Sequence, residues 1–226
     1  MLWGRRIVLA LLALGPGEAT SGHDGPVLRC RLSEARPVID GILDEACWAG
    51  ADVATGFMLL ERRGRATQQT ECRVTYDAEN LYVSFVCLET DPSSILTRCT
   101  ERDGEVWNDD CVEIFLDTRH DHRTYFHLIA NRIATRFDEV GPYYPRPQSW
   151  DGDWLCATSA ATAGWTIEFA IPFRALGLTM PRPGTLWGFN AHRQEYRLVE
   201  RSSWSPTLHG FHEPRNFGHL LFVPQL

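Results

Sequence analysis

Two runs of the chain, TECRVTY (70–76) and NLYVSFVCL (80–88), alternate apolar and polar residues almost strictly around the turn DAEN. A period of two is the signature of a strand with one buried face, and two such runs across a short polar turn predict a β-hairpin. A hairpin alone is marginal in water, so its apolar face demands cover from other strands. The sequence offers them at 111–117 (CVEIFLD), 124–131 (TYFHLIAN), 165–173 (WTIEFAIPF), 186–195 (LWGFNAHRQE) and 217–223 (FGHLLFV). Helical character is confined to short pieces, one starting near Leu43 and one at RALGL (174–178). Pro172 and Pro206 fall at strand ends, where a missing amide donor costs least. The pattern predicts an all-β fold, an antiparallel β-sandwich of jelly-roll type with short helical turns.

The 226 residues, 44% hydrophobic and 23% charged, suit one domain with a sizeable core. MLWGRRIVLALLALGPGEA (1–19) reads as a secretory signal peptide: Arg5 and Arg6, a short apolar run from Ile7 to Leu14, then small residues at Gly17 and Ala19. That run is too short to span a bilayer, and no later segment is long and apolar enough to do so. The expectation is a secreted or periplasmic protein with no membrane span, a lead-in at 20–36 and a domain at 37–226. Loss of the leader removes two arginines and one glutamate and moves the net charge from −7 to about −8, which argues against nucleic acid as a partner. The chain has no lysine, which we read as compositional bias. Its seven cysteines lack CxxC or CxxH spacing, so no zinc site is expected from them, and Cys72 and Cys87 fall on apolar strand faces as small hydrophobes.

The segment EVWNDDCVEIFLD (105–117) carries the most chemistry. Val112, Ile114 and Leu116 point one way, while Cys111, Glu113, Phe115 and Asp117 point the other. Trp107 before two aspartates sits awkwardly in a core, and Glu113 adds a carboxylate on the second face of the strand it opens. Trp48, Trp165, Trp187 and Trp204 read as core; Trp150 and Trp154 are either loop anchors or further ligand contacts. Asp109, Asp110 and Glu113 also raise acid/base chemistry, but a solvated or calcium-bound role suits the aspartates better. His120 and His122 in RHDHR read as solvated. No GxSxG, HExxH, P-loop or GxGxxG pattern is present.

Six motifs in order then resemble the family 9 carbohydrate-binding modules: PVIDGILDEACWAGA, YDAENLYVSFVCLETDP, WNDDCVEIFLDT, GWTIEFAIPFRALGL, LWGFNAHR and SSWSP…FHEPRNFGHLLF. The resemblance implies a β-sandwich, non-catalytic binding of oligo- or polysaccharide, preferentially at chain ends, and often structural calcium. It implies that Trp107 and Phe211 sandwich the sugar, that Glu113 holds its hydroxyls, and that His192 stands at the family's glutamine position. The family's arginine position falls on Ile129. For calcium, turn aspartates (Asp40, Asp44, Asp91, Asp117, Asp121) suit oxygen ligation without singling out a set. A separate glycoside hydrolase is the expected partner in polysaccharide breakdown. Two other readings stay open: a glycoside hydrolase acting through these carboxylates, and a haem-binding electron-transfer domain of similar sandwich fold, with histidine or Met58 and Met180 as ligands.

Overall fold

The structure, a computed structural model, describes residues 25–143 and 148–225. The expected leader (1–19) and the start of the lead-in lie outside the described residues. The strands are β1 (Val27–Leu32), β2 (Val53–Ala54), β3 (Met58–Leu59), β4 (Thr70–Tyr76), β5 (Asn80–Leu88), β6 (Cys111–Asp117) and β7 (Phe126–Asn131). They continue with β8 (Arg136–Val140), β9 (Gln148–Ser149), β10 (Leu155–Ala161), β11 (Gly164–Pro172), β12 (Leu186–Glu195), β13 (Glu200–Ser203) and β14 (Gly218–Val223). Helix amounts to one turn, α1 (Ala46–Ala49), and short 3-10 turns.

The strands hydrogen-bond in the order β10-β11-β5-β4-β1-β14-β12-β6-β7-β8-β9, with β13 beside β12, β3 beside β13 and β2 beside β4. The path folds on itself as a sandwich. Val83 and Phe85 of β5 and Ile167 and Phe169 of β11 share one core with Val112, Ile114 and Leu116 of β6, Leu128 of β7 and Phe189 of β12. Every pairing is antiparallel except those of β1, which runs parallel to both β14 and β4. Residues 27–32 of the expected lead-in are therefore part of the sheet: β1 fills the seam between the halves, its Leu28 and Cys30 buried between exposed Val27 and Arg29. Sequence periodicity also passed over β8, β10 and β13. β10 is an edge strand of small, half-exposed residues, and β13 (ERSS) is polar throughout, so neither carries an alternating apolar signal.

Side chains explain why the motifs recur together. Asp77 closes the β4–β5 turn by accepting the amides of Glu79 and Asn80, each at 2.7 Å, while Tyr82 donates its hydroxyl to the same carboxylate at 2.8 Å. Buried Glu168 of β11 accepts the Gly41 amide at 2.7 Å, the Asp40 amide at 3.1 Å and the Trp48 indole N–H at 2.8 Å. That one carboxylate staples the PVIDG turn and α1 onto the sheet. At the β10–β11 turn Gly164 has φ +144°, and a Cβ there would lie 1.9 Å from the Cys87 carbonyl oxygen, so only glycine fits.

All seven cysteines are free thiols, four of them buried (Cys30, Cys72, Cys87 and Cys111) with their pKa values pushed up by burial. Trp48, Trp165 and Trp187 are core residues, and Trp204 packs partly buried against Phe189. Trp154 is sealed in the core with its indole N–H on Asp138 at 2.8 Å, and Trp150 packs on Phe126, so both are loop anchors.

Candidate functional site

The two aspartates after Trp107 hold backbone. Asp109 accepts the amides of Arg98 and Cys99 and the Asn131 side-chain amide, and Asp110 accepts the Leu96 amide at 2.7 Å and the Tyr196 amide at 3.3 Å. Both are buried, so of the solvated or calcium-bound roles expected the solvated one does not hold, because loops need acceptors for amides that no strand satisfies. Val106 plugs the core beside Cys111 and Ile129, and the Gln194 side-chain amide donates to the Trp107 carbonyl at 2.9 Å. The 3-10 turn Val106–Asn108 is thereby fixed with the indole turned outward, 38% exposed, standing edge-on to Phe137 at 5.1 Å.

Trp107 rims a cavity of about 870 Å³ on the face of the sheet opposite the main core. Its floor is a row of side chains across β13, β12, β6, β7 and β8: Arg201, Gln194, Glu113, His127 with Ile129, and Phe137 with Glu139. The far wall is the loop His209–Glu213, and Tyr143, 42% exposed, stands on the rim with its ring 4.5 Å from His212. β6 is buried on both faces, since Phe115 on its second face packs under Tyr125, Phe211 and Phe217.

At the centre of the floor His127 lies between two carboxylates, its Nε2 2.7 Å from Glu113 and its Nδ1 3.0 Å from Glu139. Phe115 stacks beneath it at 4.0 Å. Burial opposes a charge on the ring, but the two carboxylates outweigh burial and lift its pKa above the ordinary histidine value. His212 is the reverse: burial and the neighbouring His127 push it down to about 4, and its Nδ1 lies 2.9 Å from the Tyr125 hydroxyl. Glu213 stays below the usual carboxylate range because the amides of Leu208 and His209 outweigh its partial burial. Arg201 lies 4.9 Å above the Phe211 ring, with no salt bridge to it among the described residues.

Of the four residues expected from sequence, Trp107, Glu113 and Phe211 line the cavity and His192 does not. His192 is fully buried against Phe211, their ring centroids 4.1 Å apart, and neither ring nitrogen has a hydrogen-bond partner among the described residues. Gln194, two residues further on the same face, reaches the floor and donates to Glu113 at 3.0 Å. Phe211 is only 2% exposed, packed between His192 and Arg201, so it anchors the wall loop and is no open plate. His127, Glu139, Tyr143, Arg201 and His212 were not anticipated. Strand alternation puts His127 on the face shared with Ile129, but only the register beside Glu113 reveals its neighbours. Met58 and Met180 do not line this cavity.

Four of the five turn aspartates are also committed: Asp40 to the Ile42 amide, Asp91 to Ser93, Asp117 to Asp121 and His122, and Asp121 to Arg123 and Thr124. His120 is partly buried with its Nε2 2.9 Å from His219 Nδ1, which differs from the solvated state expected. A separate acidic cluster joins Glu89, Asp110 and Glu195, with oxygens within 4.8 Å of one another and Arg193 paired to Glu89. Burial, with Asp110 and Glu195 nearby, raises Glu89 to about 7 despite Arg193.

Comparison with known proteins places this architecture. Endo-1,4-beta-xylanase A of Thermoanaerobacterium saccharolyticum is 27% identical over 193 residues, which cover 83% of this chain and 15% of that enzyme. The chain thus spans only a small part of that relative. A carbohydrate binding module family 9 from Caldicellulosiruptor kristjanssonii in complex with cellotriose superposes with a TM-score of 0.67 at 18% identity, covering 89% of this chain and 95% of the other. A putative carbohydrate-binding protein from Bacteroides uniformis gives 0.72 at 18% identity, over 88% and 99%. These likenesses establish the shared fold. Residues 39–224 match the family described as carbohydrate family 9 binding domain-like, and the chain belongs to it.

Proposed function

We propose that this chain is a non-catalytic, exported carbohydrate-binding module that holds a saccharide in the cavity rimmed by Trp107. The observation that carries the reading is an exposed indole, fixed by a rigid turn, above a floor of carboxylate, amide and guanidinium groups. The indole covers the apolar C–H face of a pyranose, and Glu113, Gln194 and Arg201 meet its hydroxyls. Tyr143 takes the place first given to Phe211 as the second aromatic plate, and two plates favour a sugar that protrudes from the end of its chain. The C. kristjanssonii relatives in complex with cellotriose and glucose support a glucose-type ligand. The leader supports export, and the shared segment of a xylanase supports action beside a separate glycoside hydrolase.

The test is a calorimetric screen of the mature protein against glucose, cellotriose and xylan oligosaccharides, with product analysis after long incubation. Saturable binding without turnover supports the reading. Absence of binding to every sugar refutes it, and turnover lost in Glu113→Gln would establish the hydrolase instead.

For the structural calcium implied by the family, the set that fits is Glu89, Asp110 and Glu195. All three donors are oxygens, Arg193 offsets only one of their charges, and Glu89 Oε2 is buried with no hydrogen-bond partner. Calcium there would tie the loop after β5 to the start of β6 and the end of β12.

A further inference from the structure

We propose that the cavity floor is a binding site for a divalent transition-metal ion of the zinc class, held by His127 Nδ1, His212 Nε2 and Glu139. One donor atom of each residue lies within 4.8 Å of the other two. The three come from β7, β8 and the 209–213 loop, so the sheet and the loop packing bring them together.

The partners behind them are those a metal centre requires. A ligating histidine has its second nitrogen fixed by an oxygen, which sets the ring's orientation and its donor atom. His127 Nε2 is held by Glu113 at 2.7 Å, and His212 Nδ1 is held by the Tyr125 hydroxyl at 2.9 Å. The donors to an ion are then Nδ1 of the first ring, paired with Glu139 in this structure, and Nε2 of the second. The rings stand nearly perpendicular, 88° apart with centroids at 4.9 Å, and Phe115 stacked on His127 prevents that ring from turning. His127 Nδ1 and Glu139 Oε1 are 3.0 Å apart, against edges of about 3.3 Å in a tetrahedral site with bonds near 2.0–2.1 Å. That edge needs a few tenths of an ångström of opening, and the other two, within 4.8 Å, close onto the ion as it binds.

Two imidazoles and one carboxylate select a zinc-like ion over calcium or magnesium, which prefer oxygen alone. No cysteine lines the cavity, so the site is free of thiolate. Three protein donors leave a position open toward the cavity, the arrangement of a centre that accepts an outside ligand. The assignment is independent of sugar binding, and its test contains no sugar.

Chelator-treated mature protein is titrated with cobalt(II) and followed by absorption, with zinc as competitor and circular dichroism as a check on folding. The expected result is one equivalent bound, with visible d–d bands and no thiolate charge-transfer band. His212→Ala and Glu139→Gln abolish the one-equivalent uptake, and Glu113→Gln, which changes the carboxylate behind His127 and no donor to the ion, weakens it about 10–100-fold. The two ligand variants guard against one of them failing to fold. No uptake would overturn the site and leave His127 as an imidazolium clasped by two carboxylates. A thiolate band, or uptake unchanged in folded His212→Ala or Glu139→Gln, would likewise overturn it.

Discussion

His192→Leu should make the protein more stable, and more so in acid. The ring is fully buried between Phe211 and Phe115, at 4.1 and 4.9 Å, with both nitrogens lacking partners. An unsatisfied buried polar atom costs about 1–3 kcal/mol, while lost ring–ring contact forfeits about 0.5–1.5 kcal/mol. The centres of these ranges leave a net gain near neutral pH of about 1 kcal/mol, or roughly 2–4 °C in Tm. The pH dependence is sharper. Burial, with His127, His212 and Arg201 facing the ring, drives the folded pKa well below its ordinary value. The unfolded chain takes up a proton below about pH 6.5 that the folded chain refuses, so stability is lost as pH falls through that value, by about 1.4 kcal/mol per unit for one group. Urea denaturation at about pH 7.5 and about pH 5.5 checks both parts. His192→Leu should flatten the acid slope by one proton, with His212 still contributing its own. A variant less stable at both pH values, or with an unchanged slope, would show that His192 has a partner and that the burial argument is wrong.

Glu168→Ala removes the acceptor shared by the Asp40 and Gly41 amides and the Trp48 indole, and should cost about 3–5 kcal/mol in urea denaturation, with Glu168→Gln in between. Gly164→Ala should cost at least about 2 kcal/mol, since a Cβ at 1.9 Å from the Cys87 oxygen forces the β10–β11 turn open; an unchanged Tm would contradict that. Chelation should lower Tm, with calcium and not magnesium restoring it, if Glu89, Asp110 and Glu195 hold the ion; equal melting with and without chelator contradicts the calcium assignment. Oligosaccharides blocked at the reducing end should bind more weakly than free ones, and equal affinity would count against the chain-end grip.

Periodicity located the parts of the fold whose two faces differ. β4, β5, β6 and β12 have the bounds read from their alternation, because each carries an apolar face into the core. β1 lies within the expected lead-in although VLRCRL alternates, because its place in the sheet depends on parallel pairing that no short turn announces. The site divides in the same way. Trp107 and Glu113 were legible because one continuous run, WNDDCVE, carries both the clamp and the strand. His127, Glu139, Tyr143 and Arg201 become neighbours of Glu113 only through the sheet order and the surrounding loops. His192 and Gln194 share a face, and which of them reaches the cavity depends on the depth of the loop covering the strand. Phe211 was assigned from its motif, but exposure is set by what packs on it, here His192 and Arg201.

The decisive measurement is calorimetric titration of Trp107→Ala beside the unaltered protein, using the sugar that binds best in the screen. Because the indole is surface-mounted and rests edge-on against Phe137, its loss should leave Tm nearly unchanged while weakening sugar binding by about 2 kcal/mol or more, roughly 30-fold. Undiminished affinity in a folded Trp107→Ala protein would mean that the saccharide does not lie against this ring.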